Sequence, residues 1–420
     1  MQTYQSMKDS GVAWLGEIPS EWKQKHAKYL FKQVKESVGH DPSKYELLSL
    51  TLRGIIPRSE VEGGKNPDNY SAYQVVQNND LVMCLFDYDV TPRTVGRATT
   101  TGMVTGAYTN LRPLKGVSSR YYNYFFLALD HTKELLHLCT GLRNSISKPT
   151  FLTMNLPVPD YDTQERIANY LDEEIAKIDS LISKQNRLLE LLEEKRRGFA
   201  LKAITKGLDP DATLVETGVD WMPEVPSHWQ VIKLAYLSTI LSGYSPEQTS
   251  PSSSGQYPYF KVDALNYIDN AGELRNAKDC VDEIKFTESE PFLVFPKRGG
   301  AIFTNKVAII KKRSAFDTNL MGLRLDNKRL DLHFMYHWLQ ARTLNELADT
   351  STLPQINNKH ISPLKVALPP VEEQQEIVQA IGNYMILHNR LKKQITAQIL
   401  LLNERRISLI SSVTTGKVRL

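Results

Sequence analysis

Gly11-Val-Ala-Trp-Leu-Gly-Glu-Ile-Pro-Ser-Glu-Trp22 is written a second time as Gly218-Val-Asp-Trp-Met-Pro-Glu-Val-Pro-Ser-His-Trp229. Gly11, Val12, Trp14, Glu17, Pro19, Ser20, Trp22, Tyr29 and Leu30 are identical to Gly218, Val219, Trp221, Glu224, Pro226, Ser227, Trp229, Tyr236 and Leu237, an offset of 207. A second block repeats at an offset of 210: Ile146, Pro159, Gln164, Ile167, Leu181, Leu192, Glu194, Arg196 and Thr205 match Ile356, Pro369, Gln374, Ile377, Leu391, Leu402, Glu404, Arg406 and Thr415. A period of this size makes each repeat as large as a domain. The chain is therefore a tandem duplication: short motif, variable region, helical block, then the same order again.

The helical blocks carry the strongest periodic signal. Between Gln164 and Lys206 there is no proline and one glycine, Gly198. Leu171, Ile175, Ile178, Ile182, Leu189 and Leu192 step by three and four, with Gln185 on the same line. A stripe this narrow marks a helix that pairs with another helix along a seam. Asp162 with Glu165 offers an N-terminal cap and Gly207 a stop. Some 43 helical residues would span about 65 Å. The second block, Glu372 to Thr415, shows Ile377, Ile381 and Met385, a polar gap at His388 and Lys392, then Ile395, Ile399, Leu402, Leu409 and Val413. Each helix returns from a globular region, so antiparallel pairing of the two is the simplest outcome.

The variable regions read as mixed α/β. Asp80–Phe86, Phe292–Phe295 and Lys306–Ile310 have the apolar runs of buried strands, while Tyr121–Leu129 and Leu332–Leu339 read as helices against them. A faint echo survives between the halves: Tyr108-Thr-Asn-Leu111 against Asp317-Thr-Asn-Leu320. The expected fold class is α/β (α+β), two globular domains alternating with two long antiparallel coiled-coil helices.

Bulk properties narrow the function. The chain has 420 residues, a net charge of +4 and a pI near 8.7, which permits an anionic partner without demanding one. Cys84, Cys139 and Cys280 are odd in number and widely spaced, pointing neither to a disulfide framework nor to a zinc site. The opening residues lack the apolar core of a signal peptide, and no apolar run is long enough to cross a bilayer; the expected location is cytoplasmic.

Catalytic motifs are scarce. There is no phosphate-binding GxxxxGK[ST] loop. Asn66-Pro-Asp-Asn-Tyr70 and Leu368-Pro-Pro-Val371 each fail as the tetrapeptide with which an adenine methyltransferase grips a flipped base. Asp263 with Glu283-Ile-Lys285 imitates a metal-dependent nuclease pattern, but the other half has no counterpart. No metal site is expected. What remains is cations in polar, glycine-rich surroundings: Arg53, Arg58, Arg93, Arg97, Arg143, Asn144 and Lys148 in the first half, and Lys297, Arg298, Lys306, Lys311, Lys312, Arg313 and Lys359 in the second. Arg, Lys and Asn grip phosphates and read base edges, so these are the candidate DNA-binding residues.

Taken with Leu156-Pro-Val-Pro159 before Gln164-Glu-Arg-Ile167, Leu368-Pro-Pro370 before Gln374-Gln-Glu-Ile377, and Ala203-Ile-Thr-Lys-Gly207 after the first helix, the whole chain resembles the specificity subunit of Type I restriction–modification systems. The second helix departs from the first where Gly382-Asn-Tyr-Met385 replaces Asp172-Glu-Glu-Ile175. The resemblance implies target-recognition domains over residues 1–158 and 208–368, and spacer helices over 159–207 and 369–420. It implies a non-catalytic reader of double-stranded DNA that recruits two adenine methyltransferase subunits and a motor–nuclease subunit. S-adenosylmethionine would sit on the methyltransferase, with no cofactor in this chain. Two other readings stay open: a coiled-coil scaffold binding DNA without sequence preference, and a metal-dependent nuclease. On the repeat alone, the first tryptophan motif should seat beside the end of the second helix, with the two ends of the chain close together.

Overall fold

The computed structural model describes residues 3–39, 41–61, 63, 69–70, 72–245, 255–269, 271–282, 291–349 and 353–420. The chain forms two compact units, Met1–Asn186 with Thr396–Leu420, and Arg187–Ile395. Each unit contains one globular head and a stretch of both long helices.

In the first unit the head is built on a four-stranded antiparallel sheet ordered Phe31–Val34, Thr109–Pro113, Leu81–Met83, Val95–Arg97. Leu81, Val82 and Met83 are all buried because both faces of the sheet are covered. Alternate residues face opposite ways. Leu81 and Met83 join the cluster made by the helix Ser119–His131, whereas Val82 joins Leu48, Ile55, Val76 and Val104 on the other face. The strand Lys23–His26 pairs with Asn155–Val158 and so ties the opening motif to the entry of the first long helix.

The second unit repeats this plan. Its sheet runs Ser238–Ser242, Leu320–Leu325, Phe292–Pro296, Ala308–Ile310, the same order of first, last, second and third strand. Leu293 and Phe295 face the helix Leu332–Arg342, while Phe292 and Val294 face Phe260, Leu265 and Phe316. Gln230–Lys233 pairs with Lys365–Leu368 ahead of the second long helix. The duplication therefore extends through the variable regions, where identity has decayed but the apolar alternation that builds the sheet has not.

The long helices run Tyr161–Lys206 and Val371–Thr414. Each follows a strand that ends at the residue before a proline, Val158 or Leu368, a position that proline holds extended. The cap of the first is Asp160 rather than the expected Asp162: Thr163 donates from its backbone N–H (2.9 Å) and its hydroxyl (2.8 Å) to the Asp160 carboxylate. These bonds hold that carboxyl below its usual range. Within the first unit Leu171, Ile175, Ile178 and Ile182 share one apolar cluster with Leu402 and Leu409, and Arg406 reaches Asp179 at 3.1 Å. Within the second, Glu193 lies against His388, Phe199 stacks on Tyr384 at 4.5 Å, and Gly207 faces Glu373. One number rises as the other falls, which is antiparallel packing. Leu189, Leu192 and Ile399 are half-buried and Ile395 is buried.

The tryptophan motifs anchor heads to helix ends. Trp22 is 2% exposed and, with Pro19, covers Gly416 just beyond the second long helix. Trp229 and Pro226 cover Gly207 just beyond the first, and Trp229 donates its indole N–H to Glu373 at 3.0 Å. Trp14 packs on Phe125 and Trp221 on Trp338, each on the short helix of its own head. The two ends of the chain lie together, with the Arg419 guanidinium over the Tyr4 ring at 5.8 Å.

Candidate nucleic-acid interface

The structure gathers three of the seven first-half candidates into one cleft of about 170 Å³, lined by Arg53, Arg93, Arg97, Arg120, Asn123, Tyr124 and Asp172 among others. Arg53 sits on the turn joining Leu48–Thr51 to Gly54–Pro57. Its backbone N–H donates to the Thr51 hydroxyl, and its guanidinium lies 3.6 Å from Glu60. Arg93 donates to the carbonyls of Val95 at 2.9 Å and Leu52 at 2.5 Å. Burial lowers the Arg93 pKa, so its charge is incompletely solvated and an incoming anion would relieve it. Arg97 donates to the side chain of Asn79 at 2.9 Å.

Sequence reading missed Arg120, Asn123 and Tyr124, which lie inside an aromatic helical run with nothing to distinguish them from core. Arg120 forks between Glu165 at 3.1 Å and Asp172, and its hydrogen bonds to Asp172 raise its pKa. Tyr124 donates its hydroxyl to Asp172 at 2.6 Å, and burial, then that carboxylate, push its phenol up. Four guanidiniums thus meet three carboxylates, Asp172 in the lining with Glu60 and Glu165 beside it, and the net positive balance suits a phosphate oxygen.

The remaining first-half candidates lie elsewhere in the same unit. Arg58 donates to the Gly63 carbonyl at 2.6 Å. Arg143 pairs with Asp87, Nε to Oδ1 at 2.9 Å, and covers the Phe86 ring. Asn144 occupies a left-handed turn at φ 40°, and Lys148 opens the short helix Lys148–Leu152, exposed.

In the second unit Lys297, Arg298 and Lys306 flank one loop, between Phe292–Pro296 and Ala308–Ile310. Lys306 donates to the side chain of Asn266. Lys311 is tied to Glu273 at 2.5 Å, and Arg313 lies over the Tyr257 ring. Lys312 is exposed on the turn after Ala308–Ile310. Lys359 meets Asp349 at 3.3 Å. Of the nuclease pattern, Asp263 is neutralised by Lys278 at 3.2 Å, and Glu283-Ile-Lys285 lies outside the described residues. Among the described residues no three His, Cys, Asp or Glu side chains converge as a metal site, and no helix is long and apolar enough to cross a membrane.

A duplicated chain with two heads of one topology, each carrying its own set of arginines and lysines, defines a class: a tandem-repeat protein in which each head is packed on stretches of two long antiparallel helices. Comparison with known proteins makes this specific. Residues 226–401 match the family model of the Type I restriction modification DNA specificity domain. The chain is 23% identical, over 96% of its length and 95% of the relative's, to a protein named the type I restriction enzyme MjaX specificity subunit of Methanocaldococcus jannaschii. It is 22% identical to the EcoKI specificity subunit of Escherichia coli K12, over 73% of this chain and 67% of that one. Its fold is shared with a chain from a study of complex assembly and conformational transition of the type I R-M system: TM-score 0.74, 13% identity, 96% of this chain and 99% of that chain. The HsdS subunit from Thermoanaerobacter tengcongensis shares it at a TM-score of 0.58 and 13% identity, over 96% and 98% of the two chains. The chain is thus similar in sequence to specificity subunits of Type I restriction–modification systems and shares the fold of an HsdS subunit.

Proposed function

We propose that this chain is the non-catalytic DNA reader of a Type I restriction–modification complex, and that each head reads one half of a split, asymmetric site in double-stranded DNA. The observation that carries this reading is the duplication itself. Two heads share one sheet order, yet place different side chains on their loops, as two readers of different half-sites require. The arginine cleft of the first unit and the Lys297–Lys306 loop of the second supply the electrostatic footprint that duplex DNA needs.

The long helices act in this reading as spacers, whose length sets the unread gap between half-sites. Two similar surfaces in one chain suit two copies of one partner, here adenine methyltransferase subunits carrying S-adenosylmethionine. Exposed Leu181, Leu188 and Leu191 on the first helix and Ile386, Leu387, Leu400 and Leu401 on the second offer apolar seats for partner helices. A motor–nuclease subunit completes the complex, and the chain works in the cytoplasm.

The test is a genome-wide map of N6-methyladenine in cells carrying the partner methyltransferase, with and without this chain. The expected result is a new motif of two short half-sites around a fixed gap, and exchange of residues 23–145 for those of a relative changes one half only. Methylation indifferent to this chain would leave the scaffold reading in its place.

A further inference from the structure

Val90 is 73% exposed and Phe303 is 64% exposed, although both lie in heads with ample core. A lone exposed apolar residue needs no explanation. These two occupy the same place: each lies five residues before the third strand of its sheet, Val95–Arg97 in the first unit and Ala308–Ile310 in the second. Both loops are built alike. In the first, Asp87 turns at φ 48° and its N–H donates to the Arg143 carbonyl at 2.7 Å, while the Ile146 N–H donates to Leu85 at 2.8 Å. In the second, Gly299 turns at φ 76° and donates to the Pro354 carbonyl at 2.9 Å, while the Ile356 N–H donates to Lys297 at 2.9 Å. Ile146 and Ile356 are one of the repeated pairs, so the repeat preserves the tie between the two loops.

Each tip is also pinned to the end of its short helix by a residue at positive φ. Lys133 (φ 53°) donates its ammonium to the Thr91 carbonyl at 2.7 Å. Asn305 (φ 49°) donates to the Gln340 carbonyl at 2.7 Å and accepts from the Leu344 N–H at 2.8 Å, bracketing Thr343, a β-branched residue at φ 61°. A β-branched side chain at positive φ is strained, and surrounding contacts must impose it. Side-chain hydrogen bonds thus tie each tip to the end of its short helix while an apolar side chain beside it stays in water.

We infer that Phe303 is a wedge that enters duplex DNA, packing against a base step in the half-site read by the second unit. The inference rests on the DNA-reading function proposed above. The choice of DNA over a protein partner follows from charge: Lys297 to Lys306 holds three cations and no carboxylate. Apolar side chains flanked by cations lever base steps apart, and the cations hold the phosphates on either side.

The test uses the assembled complex with its methyltransferase subunits. Phe303→Ala should weaken binding to the cognate duplex by roughly tenfold, on the scale of one lost base–aromatic contact, with the salt dependence unchanged. It should relax methylation at one step of one half-site only, and abolish the fluorescence rise of 2-aminopurine placed at that step. Phe303→Tyr should restore both. If the wild-type complex selects a site and Phe303→Ala binds and methylates it identically, the wedge is wrong and the reading function stands. Loss of methyltransferase co-purification with DNA preference intact would make the tip a protein contact instead. A wild-type complex with no site preference would overturn both.

Discussion

Gln164 and Gln374 show what a repeated residue is kept for. Both are essentially buried. The Gln164 carbonyl oxygen accepts from the Ser118 N–H at 2.9 Å while its amide donates to Pro159; Gln374 accepts from the Asp331 N–H at 2.7 Å and donates to Pro369 and Arg329. Ser118 and Asp331 cap the short helices, so each glutamine ties the start of a long helix to the start of a short one. Gln374→Ala leaves a buried N–H and two carbonyls unpaired and should cost about 2–3 kcal/mol, read as a fall in the unfolding midpoint of the head concerned. His337 gives a second residue-scale expectation. Burial, then the charges of His333 and Arg196, lower its pKa to about 4 against a pull upward from Asp331. The unfolded chain takes up this proton as pH falls through about 6.5, the folded chain only near 4. The neutral ring's contribution is therefore present above pH 6.5 and lost as pH falls towards 4, by up to about 3 kcal/mol. Thermal unfolding of His337→Leu should be flatter between pH 7 and 4.5 than that of the wild type; equal slopes would remove His337 from the account.

At the scale of elements, four glycines separate two roles. Gly416 and Gly207 end the long helices at φ 77° and 73° under the tryptophan motifs. A Cβ on Gly416 would lie 2.3 Å from Pro19, and one on Gly207 would meet Glu373 and Trp229 at 3.3 Å. Gly416→Ala should destabilise the first unit by about 2–4 kcal/mol and Gly207→Ala the second by about 1–2 kcal/mol. Gly198 and Gly382 lie inside the helices with open space around them. Alanine there should stabilise by about 0.5–1 kcal/mol each, a difference of sign that denaturant titration resolves. The helices were legible in the sequence because a seam repeats: Leu171, Ile175 and Ile178 announce themselves by spacing. The reason for Gly382-Asn-Tyr-Met385 was not, because Tyr384 finds it only in the Phe199 ring it stacks on. His388, read as a gap, fills the seam at 4% exposure opposite Glu193.

For the whole molecule, the duplication was visible where packing demands the same residue twice, at Trp22 and Trp229 or Gln164 and Gln374. It was invisible in the heads, where any apolar alternation satisfies the sheet. The cleft's candidate residues were nameable by type and not by place: Arg53, Arg93 and Arg97 were in view, but Arg120 joins them only through the fold. The same logic yields the last prediction. The second tryptophan motif seats on the end of the first long helix with the chain continuous through Leu208–Thr217; the first motif makes the same seat on the second helix with no covalent link. Native contacts, not the peptide connection, therefore hold this junction, and Arg419 over Tyr4 shows that a short linker can bridge the ends. A chain permuted by joining Leu420 to the amino terminus and opened between Gly207 and Thr213 exchanges which junction is covalent. The opened segment is exposed apart from buried Gly207 and half-buried Ala212, so few buried contacts are cut. The permuted chain should unfold within a few degrees of the wild type and direct methylation to the same motif. A permutant that folds but methylates a different motif, or none, would mean that the covalent link after the first helix orients the second head, and that the two seats are not equivalent.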